Sequence, residues 1–295
     1  MTRWLAYCAS RALIRAIEST ADWRVASRMH LARLVGGLLW QAARARRHVA
    51  LTNLRLCFPE LSEIDRQQIA RTNFVWVARA LLDHAVFARG ARDDVARLVR
   101  VAGLEHLLAA SNRPLLMIAP HFSGLNAGGV RINTELRGVS IYARQRSVAW
   151  DEWLLAIRSR FHAPQLIARE GFDLRAAIRA MKDGLPFYYL PDQDYGRQSS
   201  IFVPFLGVPA ATIPMVPRLA KMTGAKVVMT VTEMTDDGYV LHVEPPWPDF
   251  PTDSVEADTV RVTREVERWV RRMPAQYLWT HKRFKTRPPG AAPVY

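Results

Sequence analysis

Cysteine is almost missing from this chain, which carries only Cys8 and Cys57 in 295 residues. Two such residues make neither a disulfide framework nor a metal-ligand spacing, and they point to a reducing compartment. Also missing is any run of about 18 apolar residues free of charge, so a transmembrane helix is not expected. The apolar run Trp4–Ser10 stops at Arg11 without a cleavage site, and no signal peptide is expected. The sequence has no long Lys/Arg tail, zinc-finger spacing or RNP-type motif, which argues against nucleic acid as a partner. It has no internal repeat and no low-complexity segment. Acidic residues are few: 27 Asp and Glu against 41 Lys and Arg leave a formal net charge of +14. That excess favours anionic partners. Because the arginines are interspersed with Trp, Leu and Ala, anionic membrane lipid or an acidic protein suits them better than a duplex.

What is present is a globular composition, 49% hydrophobic and 23% charged. The length allows a sizeable core in one α/β domain with appendages, or at most two small domains. At 100° per residue, positions 3–18 form an amphipathic helix. Arg3, Tyr7, Arg11, Arg15 and Glu18 make its polar stripe, and Leu5, Ala9, Ala12, Leu13, Ala16 and Ile17 lie opposite. Such a helix either lies in a membrane interface or covers the core. A second segment, 29–45, repeats Leu31, Leu34, Val35, Leu38 and Leu39 at helical spacing before Arg44, Arg46 and Arg47. Pro59 closes a helix, and Ser62 with Asp65 opens another that runs to about Val86, with Phe74, Val77, Leu81 and Leu82 as its buried stripe.

From about residue 98 strands and helices alternate. Apolar runs at Leu115–Ala119, Val139–Ala143, Phe187–Leu190 and Val227–Val231 read as strands, with helices near 127–137, 150–160, 173–182 and 212–223 between them. This predicts an α/β fold with a mixed, largely parallel sheet flanked by helices. Val227–Met234 and Tyr239–Glu244 read as a hairpin, and a last helix near 253–273 buries Val255, Val262, Val266, Trp269 and Val270. The expected division is a helical, membrane-associating segment over 1–95, an α/β core over 96–287 and an extended tail over 288–295.

Three groups of residues can carry chemistry. The stretch 113–129, RPLLMIAPHFSGLNAGG, runs a buried strand into His121, which is either a general base at the mouth of the sheet or a hydrogen-bonded structural residue. Asn126, five residues on, meets His121 only if the chain turns at Ser123-Gly124, and it would then orient the imidazole. A second strand ends on Pro191-Asp192-Gln193-Asp194-Tyr195-Gly196. Its D-x-D spacing reads as a metal-binding pair or as a turn cap, and a bare D-x-D says little without a nucleotide loop. Third, Arg144, Arg158, Arg160 and Arg169 form a phosphate-reading surface if they converge, because guanidinium forks fit phosphate.

HFSGLNAGG resembles the H-x4-D/E block of the lipid A late acyltransferases, the lauroyl/myristoyl type within the lysophospholipid acyltransferase superfamily. The resemblance extends through NLRLCFPELS, IYARQ, IRSRF, LPDQDYGRQSSIFVPFLGVPAAT and PAQYLWTHKRFKTRPPG, in order along nearly the whole chain. It implies an α/β acyltransferase on the cytoplasmic face of a Gram-negative inner membrane. The implied reaction moves a fatty acyl chain from acyl carrier protein to a hydroxyl of a lipid A precursor, with His121 as base and no cofactor or metal. It makes Arg144, Arg158, Arg160 and Arg169 candidates for phosphate or oxyanion contacts, and it gives Asp192 and Asp194 a place in the architecture of the substrate site. One position departs from the pattern: where the family has a carboxylate, this chain has Asn126. That departure leaves open an engineered replacement, a paralogue of weakened or altered activity, or a site in which Asp192 or Asp194 substitutes. The alternatives for function are acylation of another lipid acceptor, such as a lysophospholipid or ornithine lipid, and lipid binding without catalysis.

Overall fold

The computed structural model describes residues 2–109 and 114–295, so Arg113 at the head of the histidine stretch lies outside the described residues. Four helices come first: α1 (Thr2–Glu18), α2 (Val25–Ala42), α3 (Arg44–Cys57) and α4 (Glu63–Arg89). Alternation then begins with α5 (Arg92–Leu98), β1 (Val99–Ala102), α6 (Leu104–Ala109), β2 (Leu115–Ile118) and α7 (Leu125–Asn133). It continues through β3 (Val139–Tyr142), α8 (Val148–Arg158), β4 (Gln165–Ala168), α9 (Leu174–Lys182) and β5 (Phe187–Tyr189). A small hairpin, β6 (Ile201–Phe205) with β7 (Val208–Thr212), precedes α10 (Met215–Thr223), β8 (Lys226–Thr235), β9 (Gly238–Val243) and α11 (Val255–Arg272).

Seven strands form one sheet in the order β1-β9-β8-β2-β5-β3-β4. The five from β8 to β4 are mutually parallel, β9 runs antiparallel to β8, and β1 follows β9. Helices cover both faces, so β2 is buried at every position. Its period-2 alternation divides the core. Leu116 and Ile118 join residues of α9, α10 and α11, while Leu115 and Met117 join residues of α4, α7 and α8. Truncating Ile118 to Ala at such a position costs about 2–5 kcal/mol.

The four expected strands and the expected hairpin are present, the latter closed by Thr235 opposite Gly238. Four strands were not foreseen: β1, β4 and the pair β6–β7. β1 (VRVA) and the half-buried β4 (QLIA) each carry a charged or amide residue, Arg100 or Gln165, that cuts the apolar run short. In the β6–β7 hairpin Pro204 faces Pro209, a pairing tolerated because each strand has only one partner.

The N-terminal helices correct the expected faces. In α1 the inward side lies at the edge of the polar stripe, with Arg11 and Glu18 half-buried and Tyr7 and Arg15 exposed. Tyr7 donates to Glu152, Ser147 donates to Ser10, and Trp153 donates to Glu18, tying α1 to α8. Ile14 and Ile17 enter the core, whereas Trp4, Leu5 and Leu13 face outward. In α2 small residues pack inward. A side chain at Gly36 would lie 2.7 Å from the Val75 backbone, so glycine is what lets α2 approach α4 this closely. Leu34 and Leu38 are left about 70% exposed. α4 begins as expected, with Ser62 accepting from the Asp65 N–H, but Val77 is exposed because the buried side of α4 is partly polar. There Asp83 accepts from Arg28 (2.6 Å), Arg79 (3.2 Å) and Tyr239 (2.7 Å), joining α2, α4 and β9. In α11, Val262, Val266, Trp269 and Val270 are buried, and Val255 at its first turn is half-buried. The tail expected to be extended instead turns at Pro288–Ala291, where the Ala291 N–H donates to the Pro288 carbonyl. Its last residue packs back against the core, Tyr295 donating to Asn53 and accepting from the Phe284 N–H. No helix among the described residues is long and apolar enough to cross a membrane.

Candidate active site

Two neighbouring parallel strands set the geometry. Ile118 of β2 pairs with Tyr189 of β5, and the Ala119 N–H donates to the Tyr189 carbonyl at 2.8 Å. His121 and Asp192 each stand three residues beyond these partners, so the pairing delivers both to the C-terminal edge of the sheet. That edge is where open α/β sheets place their sites.

There they meet. His121 Nδ1 lies 2.7 Å from Asp192 Oδ1, and the His121 backbone N–H donates to Oδ2 at 2.9 Å. Burial alone would raise the Asp192 carboxyl, but the His121 imidazole, both hydrogen bonds from His121 and the nearby charge of Arg283 outweigh it and hold it below its ordinary value. An ionised carboxylate at Nδ1 keeps a proton on that nitrogen and leaves the Nε2 lone pair for a reacting hydroxyl. Gln193 Nε2 sits 3.0 Å from that lone pair, and Gln193 Oε1 accepts from the Tyr195 hydroxyl at 3.1 Å.

The loop carrying His121 is held by residues for which the sequence suggested no role. The Ser123 N–H donates to the Gln276 carbonyl and the Leu278 N–H to the His121 carbonyl, at 2.8 and 2.9 Å. The opposite edge of that C-terminal strip is gripped by two buried asparagines. Asn73 donates to the carbonyls of Ala275 and Tyr277, and Asn53 to those of Trp279 and His281, all between 2.7 and 2.9 Å. The four carbonyls belong to a strip that begins as a 3-10 turn (Pro274–Gln276), is extended at Tyr277-Leu278 and turns again at Trp279-Thr280, so the two asparagines hold an irregular segment in place. The signal in the sequence was an Asn inside an apolar helical face, Asn53 in LTNLRL and Asn73 in RTNFVW.

Asn126 does not approach His121 as a hydrogen-bond partner. It stands in the first turn of α7 and accepts from Arg158 Nη2 at 3.2 Å. Burial pulls the Arg158 guanidinium below its ordinary value, with Asp151 partly offsetting it. Asp192 and Asp194 do not form a metal pair, because one faces His121 while Asp194 binds the N–H groups of Gly196 and Thr286 and the Thr286 hydroxyl. Both carboxylates are therefore committed to the protein rather than open to a substrate. Among the described residues no cluster of three or more His, Cys, Asp or Glu is arranged to hold a metal.

A cavity of about 540 Å³ opens beside the pair, lined by His121, Asn126, Arg158, Arg169, Gln193 and Tyr195 among others. A smaller, mostly apolar cavity of about 90 Å³ continues behind Asn126 and Arg158, between Met117, Val130, Ile132 and Leu166. The four arginines do not converge. Arg158 and Arg169 line the cavity, and Arg144 is exposed beside it. Arg160 points away and donates to the carbonyls of Phe87, Arg89 and Gly90 at the end of α4, where a cation meets the helix C-terminus.

Against known proteins, residues 13–286 match the family described as bacterial lipid A biosynthesis acyltransferase. The chain is 33% identical over 266 residues to the lipid A biosynthesis lauroyltransferase of Escherichia coli (strain K12), covering 88% of this chain and 86% of that protein. It is 32% identical over 267 residues to the palmitoleoyltransferase of the same organism, with the same coverage. Among solved structures, the 1-acyl-sn-glycerophosphate acyltransferase of Thermotoga maritima aligns over 84% of this chain and 98% of its own, at 16% identity and a TM-score of 0.40. That alignment adds nothing to the sheet order read directly from this chain. By the family match and the two relatives, the chain belongs to the bacterial lipid A biosynthesis acyltransferase family.

Proposed function

We propose that this protein transfers a fatty acyl group from an acyl carrier protein thioester to a hydroxyl of a lipid A precursor, with His121 as general base and Asp192 as its orienting carboxylate. The observation that carries the reading is the 2.7 Å contact between His121 Nδ1 and Asp192, with His121 lining a cavity of about 540 Å³. In this reading Asp192 does what a carboxylate at position 126 was expected to do. The acceptor oxygen attacks the thioester carbonyl carbon while its proton passes to His121 Nε2. The carbonyl electron pair moves to oxygen, giving a tetrahedral oxyanion. Its collapse breaks the C–S bond, and the departing thiolate takes the proton back from His121. Arg158 and Arg169 supply cations on the cavity wall for the phosphates of the acceptor. The apolar cavity behind Arg158 suits the start of a hydrocarbon chain.

The partners follow from the surface. A net charge of +14 favours an acidic carrier protein and anionic lipid. Trp4, Leu5, Leu13, Leu34 and Leu38, left uncovered on α1 and α2, suit a helix pair lying on a bilayer. The reading is therefore of a peripheral protein on the cytoplasmic face of the inner membrane, a compartment in which the free Cys8 and Cys57 stay reduced.

The test is acyl transfer from acyl carrier protein to a tetra-acylated lipid A precursor, with a lysophospholipid acceptor in parallel. Replacing His121 with Ala is expected to remove about 10²–10⁴-fold of the rate. Equal rates in the two proteins would contradict the base assignment. Transfer to the lysophospholipid alone would contradict the acceptor.

A further inference from the structure

The His121 lone pair that the reaction needs is occupied before any substrate arrives. Asp192 at Nδ1 fixes the imidazole as an acceptor at Nε2, so only a donor can face that nitrogen, and the group within 3.0 Å is the Gln193 amide nitrogen. The same amide meets the Tyr195 hydroxyl at 3.1 Å with its oxygen. The hydroxyl suits either end of an amide, so it is the acceptor state of Nε2 that turns the nitrogen toward His121. An imidazole nitrogen has one in-plane lone pair, so the Gln193 N–H and an acceptor hydroxyl exclude each other.

The Gln193 backbone has little freedom to move. Asp192 before it is bound through two hydrogen bonds to His121. Asp194 after it is bound to Gly196 and Thr286, and its N–H donates to His281 Nε2. Only the side-chain torsions remain free, and Tyr195 holds the amide oxygen. When a hydroxyl takes the lone pair, the amide nitrogen has to swing aside by one hydrogen-bond length, ~3 Å, within the cavity that Gln193 and His121 both line. Proton transfer then turns Nε2 into a donor, which can no longer accept from the amide. In the same step the thioester oxygen gains the electron pair and needs a donor.

Resting on the acyl-transfer reading above, we propose that Gln193 is a catalytic residue of two positions. It caps the His121 lone pair in the free enzyme, then donates to the tetrahedral oxyanion once the acceptor hydroxyl has displaced it, with Tyr195 as its anchor. The covalent steps are those already written. Gln193 exchanges hydrogen-bond partners and neither gains nor loses a proton.

The experiment compares wild type, Gln193→Met, which keeps the length and removes the donor, and Tyr195→Phe, which keeps the amide and removes its anchor. Loss of one oxyanion donor is expected to lower kcat about 10²–10³-fold. The acceptor KM should stay level or fall, because no amide has to be displaced. Tyr195→Phe is expected to lower kcat by a smaller factor; its ring stands at the exposed mouth of the cavity, so it serves if Gln193→Met does not fold. An unchanged kcat in either variant, or a loss confined to KM, overturns the proposal. Nitrogen-15 NMR of the substrate-free protein separates this from failure of the functional reading, since it needs no turnover. The His121 Nε2 resonance should move toward that of a free imine nitrogen in Gln193→Met. An unchanged resonance overturns the cap even if the acceptor named above is wrong.

Discussion

Replacing Asn126 with Asp restores the carboxylate that the family pattern carries five residues after its histidine, and the geometry fixes what that does. Asn126 accepts from Arg158 at 3.2 Å, while His121 is already bound to Asp192. A carboxylate at 126 therefore pairs with a guanidinium and not with the base. At an effective dielectric of about 20 and a charge separation near 4 Å, the attraction is about 4 kcal/mol. Removing the new carboxylate from water costs several kcal/mol in return, so the net change in stability is small, within about 1–2 kcal/mol. Turnover should change by less than about fivefold, since the transition state gains no new contact at the imidazole. If Asn126 were instead the partner of His121, the added carboxylate would raise turnover by up to about 10⁴, the scale on which an Asn-for-Asp change disables a Ser-His-Asp triad. Steady-state transfer with saturating acyl donor, together with a thermal melt, measures both quantities. A gain in kcat beyond about a hundredfold would refute the assignment of Asn126 to Arg158.

Two further predictions rest on other parts of the molecule. Burial, with the charges of His121, Arg283 and Lys285, lowers His281 to about 4 despite the opposing pull of Asp192, and its neutral ring accepts from the Asp194 N–H. Because the folded form refuses a proton that the unfolded chain takes up, its contribution is complete above about pH 6.5 and is lost as the pH falls toward 4. Denaturant melts across that range should show the decline, and His281→Gln, which keeps an acceptor, should flatten it; a variant with the wild-type pH profile would exclude His281 as the source. Replacing Leu34 and Leu38 with Glu removes two exposed leucines worth about 1.5 kcal/mol each on burial, so binding to anionic vesicles should weaken at least ~10²-fold. Unchanged vesicle sedimentation would count against α2 as a membrane contact.

What the sequence made legible was local. The run Leu115–Ala119 marked a buried strand, its stop at Pro120-His121 marked the sheet edge, and the second strand announced itself by ending on Pro191-Asp192. The pairing of these two strand ends was not legible. His121 and Asp192 are 71 positions apart with three strands, β3, β4 and β5, between them, and they become neighbours because β5 inserts between β2 and β3. Spacing along the chain favoured Asn126 over Asp192 for the same reason: proximity in sequence is visible, and sheet order is not. The rotated inward side of α1 has a similar cause. Tyr7, Ser10 and Glu18 have partners at α8 that no helical wheel contains, so the helix seats on Ile14 and Ile17 beside its polar stripe while Trp4, Leu5 and Leu13 are left outside. Arg160 looked like its neighbour Arg158, and only the end of α4 beneath it separates a helix-capping cation from one on the cavity wall.

The account stands most directly on Asp192→Asn. The amide keeps the size and the backbone contact but no longer holds the proton on Nδ1, so His121 presents the wrong tautomer to its substrate. Measured as kcat for transfer from acyl carrier protein to the lipid A precursor, on protein shown to be folded, the loss should be on the order of 10⁴-fold with KM little changed. A variant that retains more than about a tenth of wild-type turnover would contradict the His121–Asp192 pair as the catalytic unit.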